Sequence, residues 1–297
     1  MRTCAIIASI AIIASSSAYS ADPIELSAFI AIPRPPPTTT LQYGATASQG
    51  VDLFLPNGQG PHPVAILIHG GCWSVSTAGR EQLRHIGSVL ARQGIAVWSI
   101  GYRRANEPDG GYPGTFQDIG AAIDHLRTEG ARHDLDLARA VLVGHSAGGH
   151  LALWASVRNQ LPAGSPLHSR DPFVPRSVIS LAGIGDLKAF ARMFPILCGP
   201  GIIDRLAPQI TSADPYSDIS PTALPPPTGR VVMISGIVDR LVPPYVAHDY
   251  ARAMRQKRSD VEVIDIPDAG HFDLVTPGTT AWEQISTRIA SAVKAAP

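Results

Sequence analysis

The chain alternates between two hydrophobic textures. Short, mainly apolar runs occupy residues 51–55, 63–69, 95–100, 140–143, 177–181, 230–236 and 261–266, with 64–68 apolar throughout. Runs of this length, bounded by Gly, Pro, Asn or Asp, read as strands covered on both faces. Residues 41–44 add a further strand, joined to 51–55 by a polar turn, and Pro56-Asn57-Gly58 stops the second of the pair. Between the runs lie stretches with helical spacing at 80–92, 116–129, 245–256 and 280–295. Another helix starts at Ala147, where Ala147, Leu151, Trp154 and Ala155 fall at i, i+4, i+7 and i+8. Strand–helix alternation of this kind predicts an α/β fold with a mostly parallel sheet and helices on both faces. Residues 183–228 break the rhythm. They are rich in proline and lack long periodicity, which predicts a functional loop or short helices of its own.

The N-terminal part differs from the rest. Arg2 is followed by an apolar stretch from Ala5 to Ala14 and a small, polar stretch from Ser15 to Ser20. That is the pattern of a signal peptide over residues 1–21, with cleavage near Ser16-Ser17-Ala18 or Ala18-Tyr19-Ser20. The apolar stretch is well short of the ~20 residues a membrane span needs. Cys4 precedes it, which disfavours a lipid anchor. The expectation is an exported protein, periplasmic or extracellular, with no stable membrane anchor. Residues 22–40 hold Pro33, Pro35, Pro36, Pro37 and three threonines, and predict an extended segment leading into a single domain over 41–297.

Composition narrows the function classes. Of 297 residues, 45% are hydrophobic and 16% charged, enough apolar surface for a large core. Net formal charge is zero and no basic cluster occurs, so nucleic acid is not an expected partner. No Cys/His cluster has metal-ligand spacing, and His145 and His150 flank a tight turn rather than pairing on a helix. Neither a metal nor a cofactor is expected.

The chemistry centres on Gly144-His145-Ser146-Ala147-Gly148, between the run 140–143 and the following helix. A serine on a sharp strand-to-helix turn is lifted to the carboxyl edge of the sheet. The Ala147 N–H lies at the helix start, where the dipole favours an oxyanion. In this form the sequence resembles the α/β-hydrolase family, and Gly-His-Ser-Ala-Gly-Gly-His resembles its esterase, feruloyl/acetyl-xylan esterase and kynurenine-formamidase-like branches.

That resemblance implies a serine hydrolase cleaving carboxylic esters through an acyl-enzyme, acting on a small molecule, with a small cap at 183–228. It implies a second oxyanion donor after the third strand, in His69-Gly70-Gly71-Cys72-Trp73, from Gly71 or Cys72. Trp73 and His145 flank these turns as candidate substrate contacts, and His69 as an orienter of its loop. The lipase branch has a third glycine where Cys72 stands. The implied order of Ser146, Asp239 and His271 is present, each after a different strand, with Asp239 in Gly-x-x-Asp-x-x-Val-Pro and His271 in a Gly-His turn. Asp186 is the rival acid, whereas Asp268 and Asp273 are too near His271 in sequence. The resemblance implies an acid at Asp118 that buttresses the neighbouring loop, so Asp118 is expected to serve structure, as a favourable charge in the first turn of the helix 116–129, rather than catalysis. A binding protein on an inactive scaffold would lack a triad member, and none is missing. A formamidase-like amidase or small peptidase on the same triad is the alternative activity. In the cap, Phe190, Met193, Phe194, Ile196 and Leu197 supply either a pocket wall or plain packing. Export would place Cys72 and Cys198 in an oxidising compartment, leaving open a bridge from cap to oxyanion loop or two separate buried thiols.

Overall fold

The computed structural model describes residues 22–77, 79–207 and 214–295. The expected signal segment, residues 1–21, lies outside them. Helix α1 (Leu26–Ala31) leads into strands β1 (Thr39–Gln42), β2 (Gly50–Phe54) and β3 (His62–Ile68). Helix α2 (Arg84–Arg92), β4 (Ala96–Ile100), α3 (Gly114–Glu129), β5 (Leu135–His145), α4 (Ala147–Ala155) and β6 (Ser177–Leu181) follow. The insertion carries α5 (Leu187–Phe190), α6 (Phe194–Leu197) and α7 (Ile202–Leu206). Strand β7 (Arg230–Gly236), α8 (Tyr245–Gln256), β8 (Glu262–Ile266) and α9 (Thr280–Lys294) complete the domain.

The eight strands form one sheet in the order β1-β2-β4-β3-β5-β6-β7-β8. From β4 to β8 every neighbouring pair is parallel, while β2 runs antiparallel to β1 and to β4. The winding reverses at β3. The crossover from β3 to β4 travels one way along the sheet, and those from β5 to β6 and β7 to β8 travel the other. Right-handed crossovers therefore put α2 on one face and α4 and α8 on the opposite face. Helix α3 packs beside α4, and α9 lies against β3 and β5. Between these layers Val64, Ile66, Ile68, Trp98, Val141 and Leu142 are fully buried. Parallel strands end together, so the loops after β3, β5, β7 and β8 meet at one edge. Among the described residues, no helix is long and apolar enough to cross a membrane.

Three expectations need correction. Residues 22–40 are not extended throughout. Leu26, Phe29 and Ile30 stand at helical spacing and wind into α1, with Phe29 buried; only the proline-rich part after it stays irregular until β1 begins at Thr39. The stretch 80–92 starts as a 3-10 turn, Arg80–Leu83, before α2. That turn brings Arg80 and Arg84 together onto the buried Asp52 of β2, at 3.0 and 2.7 Å. The run 140–143 is the centre of a longer strand, because β5 pairs with β3 on both sides of a register shift between Pro63 and Val64.

Candidate active site

Ser146 stands between β5 and α4 with φ 54° and ψ −120°. A non-glycine residue there is strained, and the surroundings must hold it. They do so through its N–H, which donates to the Leu181 carbonyl of β6 at 2.8 Å. Glycine at 144 and 148 is a packing requirement. A Cβ on Gly144 would lie 2.0 Å from the Gly148 carbonyl oxygen, and one on Gly148 would lie 2.1 Å from that of Ile68. The serine turn is thus pressed against the end of β3.

His271 follows β8 and Asp239 follows β7. Their side chains meet, His271 Nδ1 to Asp239 Oδ2 at 2.7 Å, with both residues buried. The other carboxylate oxygen, Oδ1, accepts from the N–H groups of Leu241 and Val242 at 2.8 and 2.9 Å. Three hydrogen bonds therefore fix the carboxylate and leave one ring edge of His271 for other work. Asp186, the rival acid, instead caps α5 by accepting from the Ala189 N–H at 2.9 Å. Asp273 accepts from the N–H groups of Gly270 and Ile24, bracing the histidine loop from behind. Asp118 is not in the first turn of α3. It forms an ion pair with Arg103 at 2.7 Å and accepts the Arg103 N–H, so it buttresses the loop after β4 rather than the helix dipole.

The loop after β3 carries three consecutive residues in the left-handed region, Gly71, Cys72 and Trp73, at φ 97°, 53° and 50°. His69 anchors its start. The ring stacks on Tyr102 at 4.3 Å, Nδ1 donates to the Gly70 carbonyl, and Tyr102 donates to the His69 carbonyl. Complete burial pushes the His69 pKa down to about 4, so this ring stays neutral. Further along, the Ala105 N–H donates to the Trp73 carbonyl at 2.7 Å.

Gly71, Cys72, Ser146, Ala147 and His271 border one cavity of about 190 Å³. Trp73 and His145 border it as well. Trp73 is buried with edge contacts to His150 and Phe194, and among the described residues its indole N–H has no partner. His145 has a task in the protein itself: its Nε2 donates to the His271 carbonyl at 3.0 Å and its ring lies 4.5 Å from that of His271. Burial, and then the neighbouring His271, hold the His145 pKa well below the usual histidine value. In the cap, Phe190 and Leu197 line the cavity, Phe194 packs onto Trp73, Met193 packs on the core and Ile196 is exposed. Sequence reasoning missed Leu26, Phe29, Ile30 and Arg34, which supply a further wall. The helical spacing of the first three was the available signal. Among the described residues, no group of three His, Cys, Asp or Glu could hold a metal.

Cys72 and Cys198 form a disulfide, which ties the end of α6 to the loop after β3. Closing a loop between residues 126 apart in sequence is worth about 5 kcal/mol in the chain-entropy model. Reducing the bond should lower Tm by about 10 °C and weaken turnover, because a candidate oxyanion donor loses its tether. Thermal scans and assays with and without a phosphine reductant check this. Identical Tm and rate in both states would mean the loop holds its shape unaided.

The comparisons agree on the fold. Residues 51–249 match the family model BD-FAE. That stretch contains Ser146 and Asp239, begins after the N-terminal segment and ends before His271. A probable isoprenylcysteine alpha-carbonyl methylesterase of Oryza sativa subsp. japonica is 24% identical over 78% of this chain and 56% of its own length. A probable carboxylic ester hydrolase, LipM, of Mycobacterium tuberculosis is 25% identical over 76% of this chain and 53% of its own. The chain thus spans about half the length of these relatives. Esterase B from Lactobacillus rhamnosis superimposes with TM-score 0.73 at 22% identity, over 91% of this chain and 90% of that one. The carboxylesterase Cest-2923 of Lactobacillus plantarum does so with TM-score 0.67 at 19% identity, over 86% and 97%. By sheet order, by strand-to-helix serine turn and by the matched residues, the chain has the α/β-hydrolase fold and belongs to the BD-FAE family.

Proposed function

We propose that this protein is an exported carboxylic ester hydrolase working through an acyl-enzyme on a Ser146–His271–Asp239 triad. The observation that carries the reading is the 2.7 Å contact of His271 with a carboxylate already fixed by two backbone N–H groups, opening on the cavity that Ser146 borders. Ser146 Oγ attacks the ester carbonyl carbon while its proton passes to His271 Nε2. The carbonyl oxygen becomes an oxyanion, held by the Ala147 N–H and by that of Gly71 or Cys72. The intermediate collapses, the C–O bond to the alcohol breaks, and His271 returns the proton to the leaving alcohol. Water then attacks the acyl-enzyme, again giving its proton to His271, and the acid leaves as Ser146 is restored. Asp239 holds the imidazole with Nδ1 protonated and stabilises the imidazolium.

Support from similar proteins points the same way. The two relatives are described as a methylesterase and a carboxylic ester hydrolase, and Esterase B has been solved with a tributyrin phosphonate inhibitor. Export rests on the pattern of residues 1–21. The Cys72–Cys198 bond suits an oxidising compartment.

The test is a substrate panel: acyl esters of graded chain length, acetylated and feruloylated sugars, and an N-formyl aromatic amine. Esters should exceed the formamide in kcat/KM by on the order of 100-fold, about 2.7 kcal/mol of barrier. A preference for the formamide would replace this reading with an amidase.

A further inference from the structure

We propose that Arg34 is a specificity residue that selects esters carrying a carboxylate, and that the N-terminal segment exists in part to bring it to the cavity. This rests on the esterase reading above and names the substrate class for the same site.

The segment is firmly seated beside the reacting groups. Phe29 is buried, stacks on Phe272 with ring centroids 5.0 Å apart, and meets His85 edge-on at 5.5 Å. Ile24 N–H donates to Asp273 Oδ2 at 3.0 Å, the same oxygen that accepts from Gly270, the residue before His271. From this base Leu26, Phe29, Ile30 and Arg34 reach the cavity. Arg34 stands between Pro33 and Pro35. A proline after it restricts its backbone to extended conformations, and the proline before it has a fixed φ. The side chain is therefore presented from a stiff stretch.

Charge makes the case. Among the described residues lining this cavity, Arg34 is the only ionisable side chain apart from histidine, and none is a carboxylate. Among the described residues Arg34 has no ion pair, whereas Arg80, Arg84, Arg103 and Arg104 are each paired. Its charge acts instead on His85, whose pKa burial already lowers and Arg34 lowers further. Arg34 is half-buried as a residue and borders apolar walls without a charged partner among the described residues. A carboxylate on the bound ester would fill that role, through charge-assisted hydrogen bonds that a poorly solvated setting strengthens. The competing explanation is that only the aliphatic stem lines the wall while the head remains in water. A solvated head would give no preference for substrate charge. The segment also lies outside the stretch that matches the BD-FAE model.

The experiment uses the full chain and two matched substrate pairs. One pair places the charge on the acyl side, mono-p-nitrophenyl glutarate against p-nitrophenyl pentanoate. The other places it on the alcohol side, 4-carboxyphenyl butyrate against 4-carbamoylphenyl butyrate. The parent should favour the anionic member of one pair. In Arg34→Leu the anionic-to-neutral ratio of kcat/KM in that pair should fall about 10–100-fold. Arg34→Glu should lower it further, and Arg34→Lys should recover part of it, because the charge returns without the fork. Fluorophosphonate labelling at Ser146 reports that each variant is folded with a working nucleophile. An unchanged ratio in Arg34→Leu for both pairs, with labelling intact, overturns the proposal and leaves the esterase reading standing. Failure of the parent to label or to cleave any of the four esters would overturn the esterase reading, and this proposal with it.

Discussion

Replacing Ser146 by alanine should remove ester hydrolysis by about 10⁶-fold in kcat and leave the protein folded. The size follows from the chemistry: without a hydroxyl no acyl-enzyme can form, and the oxyanion donors and the cavity retain only the residual catalysis of positioning. The folded state should survive because Ser146 Oγ makes no cap hydrogen bond to α4. The turn is held by the backbone, through Ser146 N–H to Leu181 and through the close approach of Gly148 to β3. Alanine accepts the same φ of 54° about as poorly as serine does, so Tm should move by no more than about 2 °C. Two measurements check the claim together. Turnover of a short acyl ester should vanish, and a fluorophosphonate should label the parent but not the variant. Labelling of the alanine variant at another serine would move the nucleophile elsewhere.

What could be read in the sequence, and what could not, divides along range of interaction. Strands β2 to β7 and the long helices were legible because burial on both faces leaves apolar runs, and helices leave a period; β1, half-exposed along its length, was expected at 41–44 and lies at Thr39–Gln42. The convergence of Ser146, Asp239 and His271 was legible because parallel strands must end at one edge. Helix α1 was hidden by its length: six residues carry one set of helically spaced apolar positions, Leu26, Phe29 and Ile30, and the prolines beyond it dominate the composition. It is held by what it touches, Phe272 and Asp273, nearly the whole chain away in sequence. The tie between Cys72 and Cys198 was left open for the same reason, since no local signal states which distant thiols meet. His145 read as a contact for substrate because it neighbours the serine. Its bond to the His271 carbonyl depends on how two loops from different strands lie against each other. Asp118 braces the preceding loop as the resemblance implied, but its partner there, Arg103, is set by how that loop folds back on α3 and not by a rule about helix starts.

The second large effect separates His271 from Asp239, and Asp239 from its rival. His271→Gln should be nearly inactive at every pH, since the proton acceptor is gone. Asp239→Asn is a subtler lesion. Its amide oxygen could still accept from Leu241 and Val242 as Asp239 Oδ1 does, but the other end would then present an N–H₂ to His271 Nδ1. The ring must turn its lone pair to that donor and its proton toward Ser146, the wrong tautomer for a base. Such a change costs about 10⁴ in kcat. Initial rates on a short acyl ester, compared across the variants at one pH, check this. Asp186→Asn supplies the control. Asp186 accepts from Ala189 at the start of α5, and asparagine caps a helix about as well, so its rate should stay near the parent's. If instead Asp239→Asn keeps the parent's rate while Asp186→Asn loses it, the acid lies after β6, and the contact between Asp239 and His271 serves only to hold two loops together.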